Sequence, residues 1–111
     1  MIIKCGIDIV EDRRIMKLGN QSNFINKLLH PSERKFKDKL PSIFSLKEAT
    51  IKALELQLPS WLEIEIVYNI NGKTNIRLSD SIKPKGLISI DSSVSHESGI
   101  TVAQIVILLD G

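Results

Sequence analysis

The chain has 111 residues, 42% hydrophobic and 25% charged, with a net charge of +2. That is an ordinary globular balance and fits one domain, residues 1–111, with a modest core. A single cysteine excludes an intrachain disulfide and points to the cytoplasm; no charged leader precedes a long apolar run, and "ITVAQIVILL" is too short to span a bilayer. Charge is uneven: residues 1–52 hold eleven Lys and Arg against six Asp and Glu, and residues 53–111 hold four against seven. The basic half suits an acidic or phosphate-rich partner, or a solvated face. Only five aromatics are present, not interleaved with the basic residues, which argues against a nucleic-acid module.

"MIIKCGIDIV" reads as a strand, with Cys5, Ile7 and Ile9 alternating with Gly6 and Asp8. Ile7 and Ile9 are expected on its buried side, with Cys5 a small buried hydrophobe and Asp8 facing away. Ile15, Leu18, Phe24, Ile25, Leu28 and Leu29 recur with helical period. Pro31, Ser32 and Glu33 mark a fresh helix start, and Pro41 a break. Through "FSLKEATIKAL" and the two residues after it, Leu46, Ala49, Ala53 and Leu56 are expected to make a buried stripe, with Glu48, Lys52 and Glu55 opposite. Ser45 and Glu48 have capping-box spacing, and Pro59 ends the helical region. "WLEIEIVYNI" and "KTNIRLSD" read as strands joined at Asn71–Gly72, and "GLISIDSSVS" pairs with "ITVAQIVILL" through "HESG". A strand, then helices, then a run of strands is an α+β domain with a mostly antiparallel sheet packed against helices.

Asp8 is a lone carboxylate in an apolar strand, either an exposed edge charge or a metal ligand or base. Glu48 and Lys52 share a helix face; they are a cap and a surface pair, or one wall of a site. His96 follows Ser95, but neighbouring strand residues point to opposite faces, so the two do not make a nucleophile–base pair. There is no zinc spacing, phosphate loop or dinucleotide fingerprint. Separated carboxylates with lysines and a histidine suit magnesium, which takes one or two carboxylates and fills its shell with water and substrate phosphates.

"GIDIVEDRRI", "FSLKEATIKAL" and "SVSHESGITVAQIVI", in that order, resemble the holo-acyl-carrier-protein synthase type of 4′-phosphopantetheinyl transferase. The resemblance covers nearly the whole chain. It implies transfer of phosphopantetheine from coenzyme A to a serine of an apo acyl carrier protein, release of adenosine 3′,5′-bisphosphate, a role in fatty acid biosynthesis, and a homotrimer with sites at subunit interfaces. It implies that Asp8 and Glu48 hold magnesium with Glu11 nearby, that Glu48 helps take the serine proton, and that Lys52 supports the pyrophosphate. It places His96 and the Asn71–Gly72 turn at the nucleotide, and Arg14 against the acidic carrier. The chain departs from the family at Ile43, where an arginine reaching a nucleotide phosphate is usual, and at Asn23 and Thr74. The rival reading is a catalytically weak or inactive relative that binds a carrier or another protein.

Overall fold

The computed structural model describes residues 1–57 and 60–111. In chain order it contains β1 (Ile2–Glu11), α1 (Asp12–Leu18), α2 (Ser22–Leu28), a 3-10 segment (Pro31–Lys39) and α3 (Leu40–Leu54). A 3-10 turn (Trp61–Glu63) then leads to β2 (Ile64–Tyr68), β3 (Thr74–Leu78), β4 (Leu87–Glu97) and β5 (Ile100–Leu109). The strands form two antiparallel sheets, β1-β5-β4 and the hairpin β2-β3, as the α+β reading requires. β5 is central, paired with β1 from Ile2↔Leu109 to Glu11↔Ile100 and with β4 down to Glu97↔Ile100. The β4–β5 turn is only Ser98 and Gly99, both at positive φ (51° and 78°). Two positive φ values in a two-residue loop match the right-handed twist of the strands.

α3 organises the molecule. Pro41 begins it rather than breaking the chain, because a first-turn residue needs no N–H partner. The helix therefore starts well before Ser45, whose buried hydroxyl donates to the Ser42 carbonyl (3.2 Å), and the expected Ser45–Glu48 capping box does not form. The box-type contact lies upstream, where Glu33 Oε1 accepts the His30 N–H (2.7 Å) at the helix start read from Pro31–Glu33. α3 ends at Leu54, with Glu55 in the left-handed region (φ 56°) donating its N–H to the Lys52 carbonyl (3.2 Å). Pro59, expected to end this region, lies outside the described residues.

Leu46, Ala49 and Ala53 bury their side of α3 as expected, and Leu40, Ile43 and Phe44 join them. Ile43 is completely buried, so this position packs the core and faces no ligand. With Ile64, Ile66, Ile105, Ile107, Leu28 and Leu29, it forms the fully or almost fully buried centre. Each such side chain contributes about 1.5–3 kcal/mol relative to exposure.

The helix meets β1 at Gly6. A Cβ there would stand 1.9 Å from the Ala49 carbonyl oxygen, so only hydrogen allows this approach. The choice of Gly6 reverses the expected facing of β1. Gly6, Asp8 and Val10 turn toward α3, while Ile3, Ile7 and Ile9 lie outside, 71%, 57% and 65% exposed. Cys5, expected to be buried, shares that outer face and is exposed. Among the described residues no helix is long and apolar enough to cross a membrane.

Candidate active site

The contact at Gly6 sets the first half of the site. Two residues further along the same face of β1, Asp8 meets α3 one turn beyond Ala49. Lys52 Nζ donates to Asp8 Oδ1 (3.0 Å) and to the Ile7 carbonyl (2.9 Å). The Asp8 side chain is only 13% exposed, and its second oxygen, Oδ2, is buried without a hydrogen-bond partner. A buried carboxylate oxygen with no donor is costly unless something else occupies it.

Glu48 stands one turn before Lys52. Its Oε2 accepts the indole N–H of Trp61 (3.0 Å), so the side chain is held in place by tertiary structure and is not a cap. Trp61 is fixed in turn. Its ring packs against Phe24 and Phe44 at centroid distances of 6.1 and 5.8 Å. Its carbonyl accepts from Lys47 Nζ (3.0 Å).

Lys47 is the residue that sequence reasoning missed. It is fully buried and also donates to the Leu28 carbonyl (2.6 Å) and to Glu33 Oε1 (2.7 Å). Glu33, equally buried, accepts the Ile66 N–H at Oε2 (2.7 Å). Burial pushes the Lys47 ammonium below the ordinary lysine range, and the hydrogen bond and charge of Glu33 oppose this. A signal was available: Lys47 lies four residues after Ile43 and three before Thr50, on a buried side of the helix.

Glu11 does not join Asp8. Three residues apart on a strand, they face opposite sides of the sheet, and Glu11 lines a shallow basic depression with Arg13, Arg14 and Lys17. Among the described residues no group of three or more His, Cys, Asp or Glu is placed to hold a metal, so the expected set of Asp8, Glu48 and Glu11 is not gathered in one chain. Asp8 Oδ2 and the Glu48 carboxylate nevertheless suit a magnesium ion that keeps most of its water.

His96 stands on the face of the sheet that packs against α3. It lines a cavity of about 330 Å³ with Lys39, Ser42, Gly72, Lys73 and Thr74. Its Nε2 lies 3.4 Å from Ser42 Oγ and its Nδ1 2.8 Å from Thr101 Oγ1. Within one chain Gly72 lines the same cavity as His96, while Asn71 does not line it and its Oδ1 accepts the Lys73 N–H (3.1 Å) within the turn. Lys52 does not line this cavity. Tyr68 does, and burial pushes its phenol up to about 12. Of the departures, Asn23 is exposed on α2 and Thr74 shares a hydrogen bond with Ser92 (2.8 Å).

Residues 4–104 match the sequence model of the 4′-phosphopantetheinyl transferase superfamily. The chain belongs to that superfamily. Within it, the chain is similar to the holo-[acyl-carrier-protein] synthase of Caldanaerobacter subterraneus subsp. tengcongensis, 35% identical with 88% of each chain covered. The holo-[acyl-carrier-protein] synthase of Helicobacter pylori, solved in complex with coenzyme A, superposes with a TM-score of 0.80 at 34% identity, over 94% of this chain and 99% of that one. The Bacillus anthracis enzyme, solved with coenzyme A (3′,5′-ADP), gives a TM-score of 0.75 at 28% identity over 94% of both chains. This is a phosphopantetheinyl transferase of the holo-acyl-carrier-protein synthase type.

Proposed function

We propose that the chain transfers 4′-phosphopantetheine from coenzyme A to a serine of an apo acyl carrier protein, in the cytoplasm, with magnesium at Asp8 and Glu48. The observation that carries the reading is the buried, unpartnered Asp8 Oδ2, with Oδ1 pinned by Lys52. Bound there, magnesium supplies positive charge beside the pyrophosphate as negative charge builds on the leaving group. Lys52 orients Asp8 and adds its own positive charge beside the same phosphates. Glu48, oriented by Trp61, takes the serine proton directly or through a water. The serine oxygen bonds to the phosphorus that carries pantetheine, and the bond from that phosphorus to the bridging oxygen breaks. Adenosine 3′,5′-bisphosphate leaves.

The basic cavity at Lys39, Lys73 and His96 suits the 3′-phosphate of the nucleotide. The depression at Arg13, Arg14 and Lys17 suits an acidic carrier helix. The assembly we propose is a homotrimer that covers the exposed apolar face at Ile3, Ile7, Ile9 and Val106.

The test is incubation with coenzyme A, magnesium and an apo carrier protein, followed by mass spectrometry of the carrier. The expected result is one added phosphopantetheine that disappears when magnesium is chelated. A carrier that binds but is never modified would leave the non-catalytic binding module as the correct reading. Light scattering should give three chains per particle, and a monomer at working concentration would remove the shared assembly.

A further inference from the structure

One hydrogen-bond chain runs behind the cavity and has no part in the mechanism above. Asp12 opens α1, and its backbone N–H is tied to the Gly99 carbonyl in the β4–β5 turn (2.9 Å). Thr101, fully buried on β5, donates its hydroxyl proton to Asp12 Oδ1 (2.6 Å). The same Thr101 Oγ1 lies 2.8 Å from His96 Nδ1, and Thr101 is paired with His96 across the sheet. A hydroxyl has a single proton. With that proton committed to a carboxylate, Thr101 Oγ1 can only accept from His96, so Nδ1 must carry a hydrogen. Nε2 is then the nitrogen turned to Ser42 and the cavity.

We infer that Asp12 and Thr101 are positioning residues that fix the tautomer and orientation of His96, so that Nε2 is presented to a phosphate group of the nucleotide in the cavity. The inference rests on the phosphate reading of that cavity. The free imidazole of histidine prefers its hydrogen on Nε2, the nitrogen that here faces the ligand. The Thr101–Asp12 pair overrides that preference, as a second partner of a functional histidine characteristically does. When a phosphate monoester enters, its own proton or one from water is shared between Nε2 and a phosphate oxygen. The Asp12 carboxylate, one hydroxyl away on the far side of the ring, then faces the ring's positive charge. Lys39 and Lys73 supply the remaining positive charge; no carboxylate is among the described residues that line the cavity, and the one beside it, Asp91, is an exposed partner 3.6 Å from Lys73 Nζ. The device joins residues from β1's exit, β4 and β5, 89 positions apart at its widest, so no local motif announces it.

Nitrogen-15 NMR of the histidine rings reads the tautomer without any ligand. His96 in its neutral form should carry its hydrogen on Nδ1 in the wild type, and on Nε2 in Thr101→Val, which has nearly the same shape but no hydroxyl. Thr101→Ser should restore the wild-type pattern, and serves as the folded comparison if valine disturbs packing. Calorimetry with coenzyme A and its 3′-dephospho form reads the consequence. The wild type should prefer coenzyme A, and Thr101→Val should lose about tenfold of that preference, the size of one charge-assisted hydrogen bond. Asp12→Asn should lose part of it with the tautomer kept. A wild-type His96 with its hydrogen on Nε2 would overturn the relay. So would a tautomer switch in Thr101→Val with the preference for coenzyme A unchanged. A wild type that binds both ligands equally would instead overturn the phosphate placement beneath the inference, and the inference with it.

Discussion

Replacing Lys47 by methionine tests whether the buried ion pair holds the site together. Methionine keeps the length of the side chain and removes its charge and all its donors. Glu33, with no exposed surface, would keep its bonds from the His30 and Ile66 N–H groups but lose the one counter-ion it has among the described residues. The Leu28 and Trp61 carbonyls would each lose a donor as well. Removing one partner of a buried pair costs about 3–5 kcal/mol. A domain of this size has a total stability of about 5–15 kcal/mol. The variant should therefore lose from about a fifth to all of its stability, and at the low end of that stability range should be largely unfolded at growth temperatures. Urea unfolding followed by the fluorescence of Trp61, the sole tryptophan, measures this directly, because its backbone carbonyl belongs to the network. The double variant Lys47→Met, Glu33→Met removes both charges and should recover part of the loss, since the unpaired carboxylate is gone while the His30 and Ile66 N–H groups lose their acceptor. A single variant within about 1 kcal/mol of wild type, well below the range for a buried pair, would refute the reasoning.

Glu48→Gln keeps an oxygen for the Trp61 N–H but not the charge or the base, so transfer should fall by orders of magnitude with the melting temperature nearly unchanged; full activity would remove Glu48 from the chemistry. Gly6→Ala puts a methyl group into the Ala49 carbonyl and should cost about 1–3 kcal/mol while pulling Lys52 away from Asp8, so thermal melting and magnesium-dependent coenzyme A binding should both weaken. Tyr68 is the sole tyrosine, and its absorbance should titrate at about 12 in the folded protein and near 10 in denaturant. Because the folded form holds that proton where the unfolded chain releases it, this contribution to stability is complete below about 10 and lost as pH rises toward about 12; a folded protein titrating near 10 would contradict the burial. Arg14→Glu should raise the Michaelis constant for the carrier far more than that for coenzyme A, and equal effects would argue against carrier docking there.

Periodicity and turn residues marked most strands and helices of this chain, because those signals are local, but they missed that α3 begins at Leu40–Pro41 and that Trp61–Glu63, read as strand, is a 3-10 turn. Alternation marked β1, apolar recurrence marked α3, and Ser98–Gly99 closed a hairpin whose register then aligned two long strands. Three short segments in order were enough for the family. The pattern "GID" marked Asp8 as singular, but alternation cannot say which face of a strand is inward. Ile7 and Ile9 suggested one answer, and the helix backbone docking on Gly6 imposed the other. Ile43 likewise occupied the place of an expected ligand contact, and only the packing of α3 sent it into the core. Lys47 carries a charge in every local reading, and nothing in its neighbours in sequence says that Glu33 and two carbonyls will enclose it. The links from Lys47 to Trp61 to Glu48, and from Asp12 to Thr101 to His96, join residues far apart in the chain, so they exist only once the sheet and α3 have brought those residues together.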